Sequence, residues 1–273
     1  MIEGVGSMTA QHLISYCGGV EKVFNSPKAK LMKIPNIGKI TADAILSPEP
    51  MALAEEELKF IEKNQIQIYF HTDENYPHRL KECKDHPQLM FYKGNSPIEN
   101  KRVLAIVGTR NATEYSQRFL DGLLEELSTI PDLLVVSGLA YGVDIKAHRA
   151  CIKNKIPNIA VMGTGLNSIY PATHRKYAVE IVQNGGLLTE FTTRSKIIPA
   201  NFPMRNRIIA GLSDVTLVVE TKTKGGSVIT ANIANSYNRE VVALPGKVGE
   251  DTSEGCNFLI KTYKAQMIES AAD

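Results

Sequence analysis

Glycine, hydroxyl and cationic side chains recur in this sequence in short segments that directly follow runs of β-branched residues. Gly108-Thr109-Arg110-Asn111-Ala112-Thr113-Glu114 is the first. Glycine there permits a tight turn, Arg110 adds a cation, and Asn111 with Glu114 has the spacing of a capping box. The second segment is Ser137-Gly138-Leu139-Ala140-Tyr141-Gly142-Val143-Asp144. Its two glycines, four apart, let backbone N–H groups approach an anion at a helix start. A third, Gly163-Thr164-Gly165-Leu166-Asn167-Ser168-Ile169-Tyr170-Pro171, is closed by a Tyr-Pro pair. Taken singly, each reads equally well as an ordinary strand-to-helix connection. In succession they form a set of phosphate-compatible loops. A dinucleotide fingerprint at Gly163 and Gly165 fits poorly, because Ser168 stands where the third glycine belongs and Pro171 follows.

A second kind of chemistry is carried by Asn201-Phe202-Pro203-Met204-Arg205-Asn206-Arg207, which leads into the apolar run Ile208-Ile209-Ala210-Gly211-Leu212. Guanidinium groups bind phosphate bidentately and stack on bases, and Phe202 offers an apolar platform. Arg205 is the better phosphate candidate. Arg207 is as well explained by an ion pair to Glu190 or Glu220 at a strand end. Further on, Thr221 to Thr230 is another glycine-containing loop entering a helix, with Ser227 expected as N-cap and Lys222 and Lys224 on its rim.

These segments need a scaffold that presents them on one side, and the pattern between them supplies it. VLAIVG (103–108), LLVVSG (133–138), IAVMG (159–163), LLTE (187–190), VTLVVE (215–220) and VVALPG (241–246) read as buried parallel strands. SQRFLDGLLEELS, AHRACIKN, HRKYAVEIVQN and TANIANSYN between them have the apolar spacing of crossover helices. That alternation predicts right-handed βαβ units in a doubly wound α/β sheet, whose ligands lie outside the carboxyl ends of the strands. Residues 66 to 92 are expected to add edge structure. The first 60 or so residues are short-helical, and Ile34-Pro35-Asn36-Ile37-Gly38-Lys39 through Leu46 has a helix-hairpin-helix pattern. A degraded copy begins at Gly4-Val5-Gly6 and runs through Thr9 to Ile14. Few basic residues accompany these hairpins, so a structural or protein-binding role is as good a reading as DNA binding.

With 273 residues, 43% of them hydrophobic, the chain is long enough for one large and one small domain. The 31 basic and 29 acidic residues nearly cancel, so binding to an acidic partner depends on where positive charge is placed. Cys17, Cys83, Cys151 and Cys256 are far apart and form no CxxC pair, which predicts neither a disulfide framework nor a zinc site and suits a reducing cytoplasm. The histidines His12, His71, His78, His86, His148 and His174 have no metal-ligand or catalytic spacing, and no cofactor is expected. No secretion signal or membrane span is predicted.

The ordered series GTR (108–110), SGLAYGVD, GTGLNSIYP, LLTE, NFPMRNRIIAGLS, VVETKTKGGSVITA and ALPG resembles the DNA-processing protein A (DprA/Smf) family over roughly residues 64 to 273. The resemblance implies an extended Rossmann-like, doubly wound, mostly parallel sheet over 63–273 and a small all-α helix-hairpin-helix (SAM-like) domain over 1–62. It implies a cytoplasmic, non-enzymatic homodimer that binds single-stranded DNA without strong sequence preference. In that family the role is to protect incoming DNA and load the RecA recombinase in natural transformation. The DNA-contacting positions it carries over are Gly108, Thr109, Arg110, Ser137, Gly138, Gly163, Gly165, Phe202, Arg205, Asn206 and Arg207. Three departures stand out. The first hairpin copy begins abruptly at Met1, and the chain ends soon after GCNFLIKTYKAQMIES, ahead of the winged-helix domain many members carry. Thr189-Glu190-Phe191-Thr192 replaces the family's Ser-Glu-x-Pro. The competing reading is a nucleoside-monophosphate phosphoribohydrolase of related fold, whose PGGxGTxxE motif, laid on Lys224 to Asn232, puts Asn232 in the place of the catalytic glutamate.

Overall fold

The computed structural model describes residue 2 and residues 4–273. All six apolar runs form strands, and their final glycine or acidic residues fall just beyond the strand ends. The strands are β1 (Gln67–Phe70), β2 (Leu89–Gly94), β3 (Arg102–Val107), β4 (Leu133–Ser137), β5 (Asn158–Val161), β6 (Gly185–Thr189), β7 (Val215–Val218), β8 (Glu240–Ala243) and β9 (Gln266–Met267). They make one nine-stranded sheet in the order β1-β2-β6-β5-β4-β3-β7-β8-β9. From β6 to β9 every pairing is parallel, while β1 and β2 add an antiparallel edge.

Successive residues of a strand point to opposite faces, and both faces are covered. On one, Ala105, Val107, Val136 and Val161 pack against α10 (Asn201–Leu212), α11 (Gly226–Ser236) and α12 (Asp251–Lys261). On the other, Ile106, Val135 and Leu217 meet α7 (Glu114–Leu127) and α8 (Val143–Lys153), with α9 (Arg175–Gln183) beside them over β5 and β6. From β3 the chain winds outward through β4, β5 and β6, then returns along α10 to place β7 on the other side of β3. The β3–β7 border is therefore a topological switch point, where neighbouring loops diverge and leave a crevice.

Before the sheet lie α1 (Ser7–Cys17), α2 (Val20–Phe24), α3 (Lys28–Leu31), α4 (Lys39–Leu46) and α5 (Glu49–Lys63). The first four share a core built on Leu13, Leu31, Ile34, Ile37 and Ile45. At the end of α5, Ile61 packs instead with Ile66 and with Phe91 of β2. The Glu57 carboxylate accepts from the Thr193 N–H at 3.0 Å and from its hydroxyl at 2.5 Å, tying α5 to the loop after β6. The β1–β2 connection contains the single turn α6 (His78–Lys81), whose Arg79 is anchored by Asp214 at 2.6 Å. Among the described residues no helix is long and apolar enough to cross a membrane.

Two capping expectations are corrected. Helix α7 is capped by Thr113, whose hydroxyl accepts from the Tyr115 N–H, and not by Asn111 with Glu114. The buried Glu220 carboxylate accounts for this, because it accepts from both the Thr113 N–H at 2.9 Å and the Thr113 hydroxyl at 2.6 Å, fixing the helix start there. Helix α11 starts from Gly225, which leaves Ser227 inside the first turn and buried.

Candidate functional site

The carboxyl ends of β3 and β7 open on a cavity of about 450 Å³. One wall is the loop 108–111, the facing wall is the loop 221–227, and the floor is the start of α10 with Phe202, Arg205 and Asn206. With Ala140 and Asp144 also in its lining, the switch-point topology and four of the segments singled out in the sequence thus meet in one place.

The loop after β3 is held in shape from two sides. The Thr109 N–H donates to the Glu220 carbonyl at 2.5 Å, the Thr109 carbonyl accepts from the Val143 N–H at 3.1 Å, and its hydroxyl accepts from the Asn111 N–H at 3.2 Å. Gly142 enters α8 at φ 76, a conformation that favours glycine, and a Cβ there would collide with the Thr109 carbonyl. Gly108 is equally crowded, since Val143 occupies the space beside it. Arg110 is the exposed product of this arrangement: it stands on the lip of the cavity and makes no side-chain hydrogen bond or ion pair to another described residue. Across the opening Lys224 is likewise exposed and unpaired among the described residues, whereas Lys222 is held by Asp251 at 2.7 Å.

Arg205 takes a different part from the one expected. It is a charged residue in the interior of α10, which begins at Asn201, and it is buried. Its Nη1 donates to the carbonyls of Gly138 at 2.6 Å and of Val161, and its Nε donates to Asn206 Oδ1 at 3.1 Å. The buried carboxylate of Asp144, which also accepts from the Ala140 N–H, is its charge partner. Burial, opposed by Asp144 and reinforced by the nearby Arg110, lowers the Arg205 pKa to about 10, still charged at neutral pH. Burial pushes the Asp144 carboxyl above its usual range, with Arg205 pulling the other way. Arg205 is thus a clamp on the ends of β4 and β5, because an arginine fork in the interior must spend its donors on whatever carbonyls surround it. Gly138 belongs to the same device: its missing side chain leaves the space that the guanidinium fills, 2.5 Å from where a Cβ would stand.

The remaining positions divide. Phe202 lines the cavity, with its ring against Gly163 and 5.2 Å from the Tyr170 ring. Asn206 lines it as well. Ser137 is a buried framework residue whose hydroxyl donates to the Ile106 carbonyl at 2.7 Å. Gly165 abuts the Thr192 backbone and lies away from the cavity. Arg207 forms the ion pair with Glu190, at 2.5 Å, and faces α1 instead of the cavity. Glu190 is held above the usual carboxylate range by burial, against the pull of Arg207. Asn232 is exposed, lies outside the cavity and accepts from Lys264 at 3.1 Å, so no carboxylate occupies the hydrolase position. Sequence reading missed the roles of Asp144 and Glu220. An acidic residue at each strand or helix end was visible, but its partner lies dozens of residues away in the chain.

A model of the family described as DNA recombination-mediator protein A matches residues 67–273. Protein Smf of Escherichia coli is 38% identical over 213 residues, 78% of this chain and 57% of that protein. DNA processing protein DprA of Streptococcus pneumoniae is 36% identical over 201 residues, 74% of this chain and 70% of the relative. The X-ray structure of DprA from S. pneumoniae superposes with a TM-score of 0.86 at 29% identity, over 99% of this chain and 93% of that one. DNA processing protein A from Helicobacter pylori gives a TM-score of 0.69 at 32% identity, over 76% of this chain and 93% of that one. The chain spans 57% and 66% of the lengths of the Smf proteins of E. coli and Synechocystis.

Proposed function

This chain belongs to the DNA recombination-mediator protein A family, and we propose that it binds single-stranded DNA across the cavity at the β3–β7 switch point, without catalysing a reaction. The observation that carries the proposal is the juxtaposition of unpaired cations at the lip, Arg110 and Lys224, with an aromatic floor at Phe202. Cations on the rim follow a phosphate backbone, and an aromatic face accepts an unpaired base that a duplex keeps stacked. The Helicobacter pylori relative, 32% identical, binds single-stranded DNA. Protection of incoming DNA and delivery to the RecA recombinase in the cytoplasm of a transforming cell complete the proposal, supported by the family alone. RecA filament formation on coated DNA, with and without this protein, tests that part.

Arg110→Ala tests the site. Losing one charge-assisted phosphate contact weakens binding of single-stranded DNA by about 1–3 kcal/mol. It also flattens the plot of log affinity against log salt by about 0.7, the counterion release per neutralised phosphate on a single strand. Fluorescence anisotropy with a labelled oligonucleotide at several salt concentrations reads both. Parental affinity and slope in a folded variant would place the DNA elsewhere. Incubation with AMP, followed for release of free base, tests the hydrolase alternative, and no turnover is expected.

A further inference from the structure

The connection between β1 and β2, at the edge of the sheet, gathers polar side chains that the cavity does not use. The His71 N–H donates to the Gln88 carbonyl at 3.0 Å, one step beyond the Phe70–Leu89 pair of the β1–β2 ladder. Residues opposite each other in an antiparallel pair project to the same face. His86 lies two residues before Gln88, and its ring centroid is 5.8 Å from that of His71. His86 and Gln88 are 9% and 8% exposed.

Three atoms of this cluster, His71 Nδ1, His86 Nε2 and Gln88 Oε1, are buried without a hydrogen-bond partner among the described residues. Their donor and acceptor character follows from the neighbours. His86 Nδ1 faces the Cys83 carbonyl at 2.8 Å, and a carbonyl only accepts, so Nδ1 carries the proton and Nε2 presents a lone pair. The Gln88 amide nitrogen is directed at the His86 carbonyl at 3.5 Å, which leaves the amide oxygen as a second acceptor. His71 Nδ1 faces no donor or acceptor, and in the tautomer that carries the proton on Nε2 it presents a lone pair as well. One water molecule donates two hydrogens and leaves one of three acceptors unmatched. A metal cation accepts from all three. A histidine that donates one ring N–H to a backbone carbonyl and turns the other nitrogen inward is the usual form of a metal-bound imidazole. At metal–nitrogen distances of roughly 2.0–2.1 Å, two imidazoles on one tetrahedral ion have centroids about 5 Å apart, close to the spacing here.

We propose that His71, His86 and Gln88 bind a divalent first-row transition metal, zinc or nickel in type, through two imidazole nitrogens and one amide oxygen. Imidazole suits these ions, and water completes the coordination. Among the described residues no three His, Cys, Asp or Glu side chains converge, so the amide oxygen is what makes this set tridentate. Bound there, the ion clips the two ends of the connection that carries Arg79 and α6.

Cobalt(II) is the probe, titrated into the full chain without a histidine tag and followed by visible absorption and equilibrium dialysis. One equivalent binds per chain, zinc displaces it, and His71→Ala or His86→Ala weakens it at least about tenfold. Zinc raises the melting temperature of the parent and of Arg110→Ala but not of the histidine variants. Absence of saturable binding at millimolar cobalt overturns the proposal. So does binding that survives both histidine substitutions, which would assign the ion to another site such as His78 with Glu99. Where His86→Ala does not fold, His71→Asn, at the more exposed of the two histidines, carries the same comparison together with Gln88→Ala.

Discussion

Replacing Arg205 with alanine leaves the Asp144 carboxylate buried without its charge partner and the Gly138 and Val161 carbonyls without a donor. Stranding a buried acceptor costs about 1–3 kcal/mol, and urea denaturation of Arg205→Ala is expected to show a loss of at least that size. Arg110→Ala, at an exposed position, is expected to stay within about 0.5 kcal/mol of the parent while losing DNA affinity. An Arg205→Ala variant of parental stability would show that the clamp is not needed. A second residue-scale effect is set by pH. His148 is fully buried, its Nδ1 donating to Asn158 Oδ1 at 2.8 Å, and burial lowers its pKa to about 4. The unfolded chain takes up that proton near the ordinary 6.5 and the folded chain only near 4, so stability present above pH 6.5 is lost as the pH falls between the two, by roughly 3 kcal/mol in all. Glu190 acts with the opposite sign, its raised folded pKa favouring the folded state as the pH falls. The parent minus His148→Gln difference in denaturation midpoint, measured from pH 7 to pH 4.5, isolates the histidine and is expected to shrink with acid.

The loop that presents Arg110 belongs as much to β7 as to β3. Glu220, just past β7, accepts both Thr113 hydrogens and thereby fixes where α7 begins, 107 residues earlier in the chain. Removing that carboxylate strands two donors at a helix start, which costs about 1–3 kcal/mol. Glu220→Ala is therefore expected to lower both stability and DNA affinity. Glu220→Gln, whose amide oxygen still accepts from the Thr113 N–H, is expected to recover most of each. Equal binding by Glu220→Ala and the parent would mean that Arg110 reaches DNA from an unrestrained loop.

For the whole molecule, the apolar segment Phe258-Leu259-Ile260 near the end of the chain is largely spent on the fold. Leu259 is buried in the core and Ile260 packs against it, leaving Phe258 at 38% exposure. A homodimer through the Rossmann-like domain remains our proposal from the family. Light scattering at micromolar concentration is expected to read twice the 30.0 kDa of one chain, and a monomer would refute it. Single strands are expected to bind more tightly than duplex of equal length at matched salt, because only unpaired bases reach a floor built on Phe202.

Strand positions, the parallel sheet and the family were legible in the sequence, because apolar β-branched runs and glycine turns are local signals that each few residues carry on their own. So was the address of the cavity, at the carboxyl ends of the strands, where the ligands of such sheets lie. The division of labour among the arginines was not legible. Arg205 and Arg110 look alike as cations beside glycine-rich segments, and the difference is that one meets Asp144 and two strand-end carbonyls inside the fold while the other meets solvent. The contacts that decide this join Arg205 to Gly138 and Thr113 to Glu220, whereas the Arg207–Glu190 pair is one of the two that the sequence offered. Such pairings depend on the order in which strands are laid beside one another, a property of the assembled sheet that no local pattern of residues encodes.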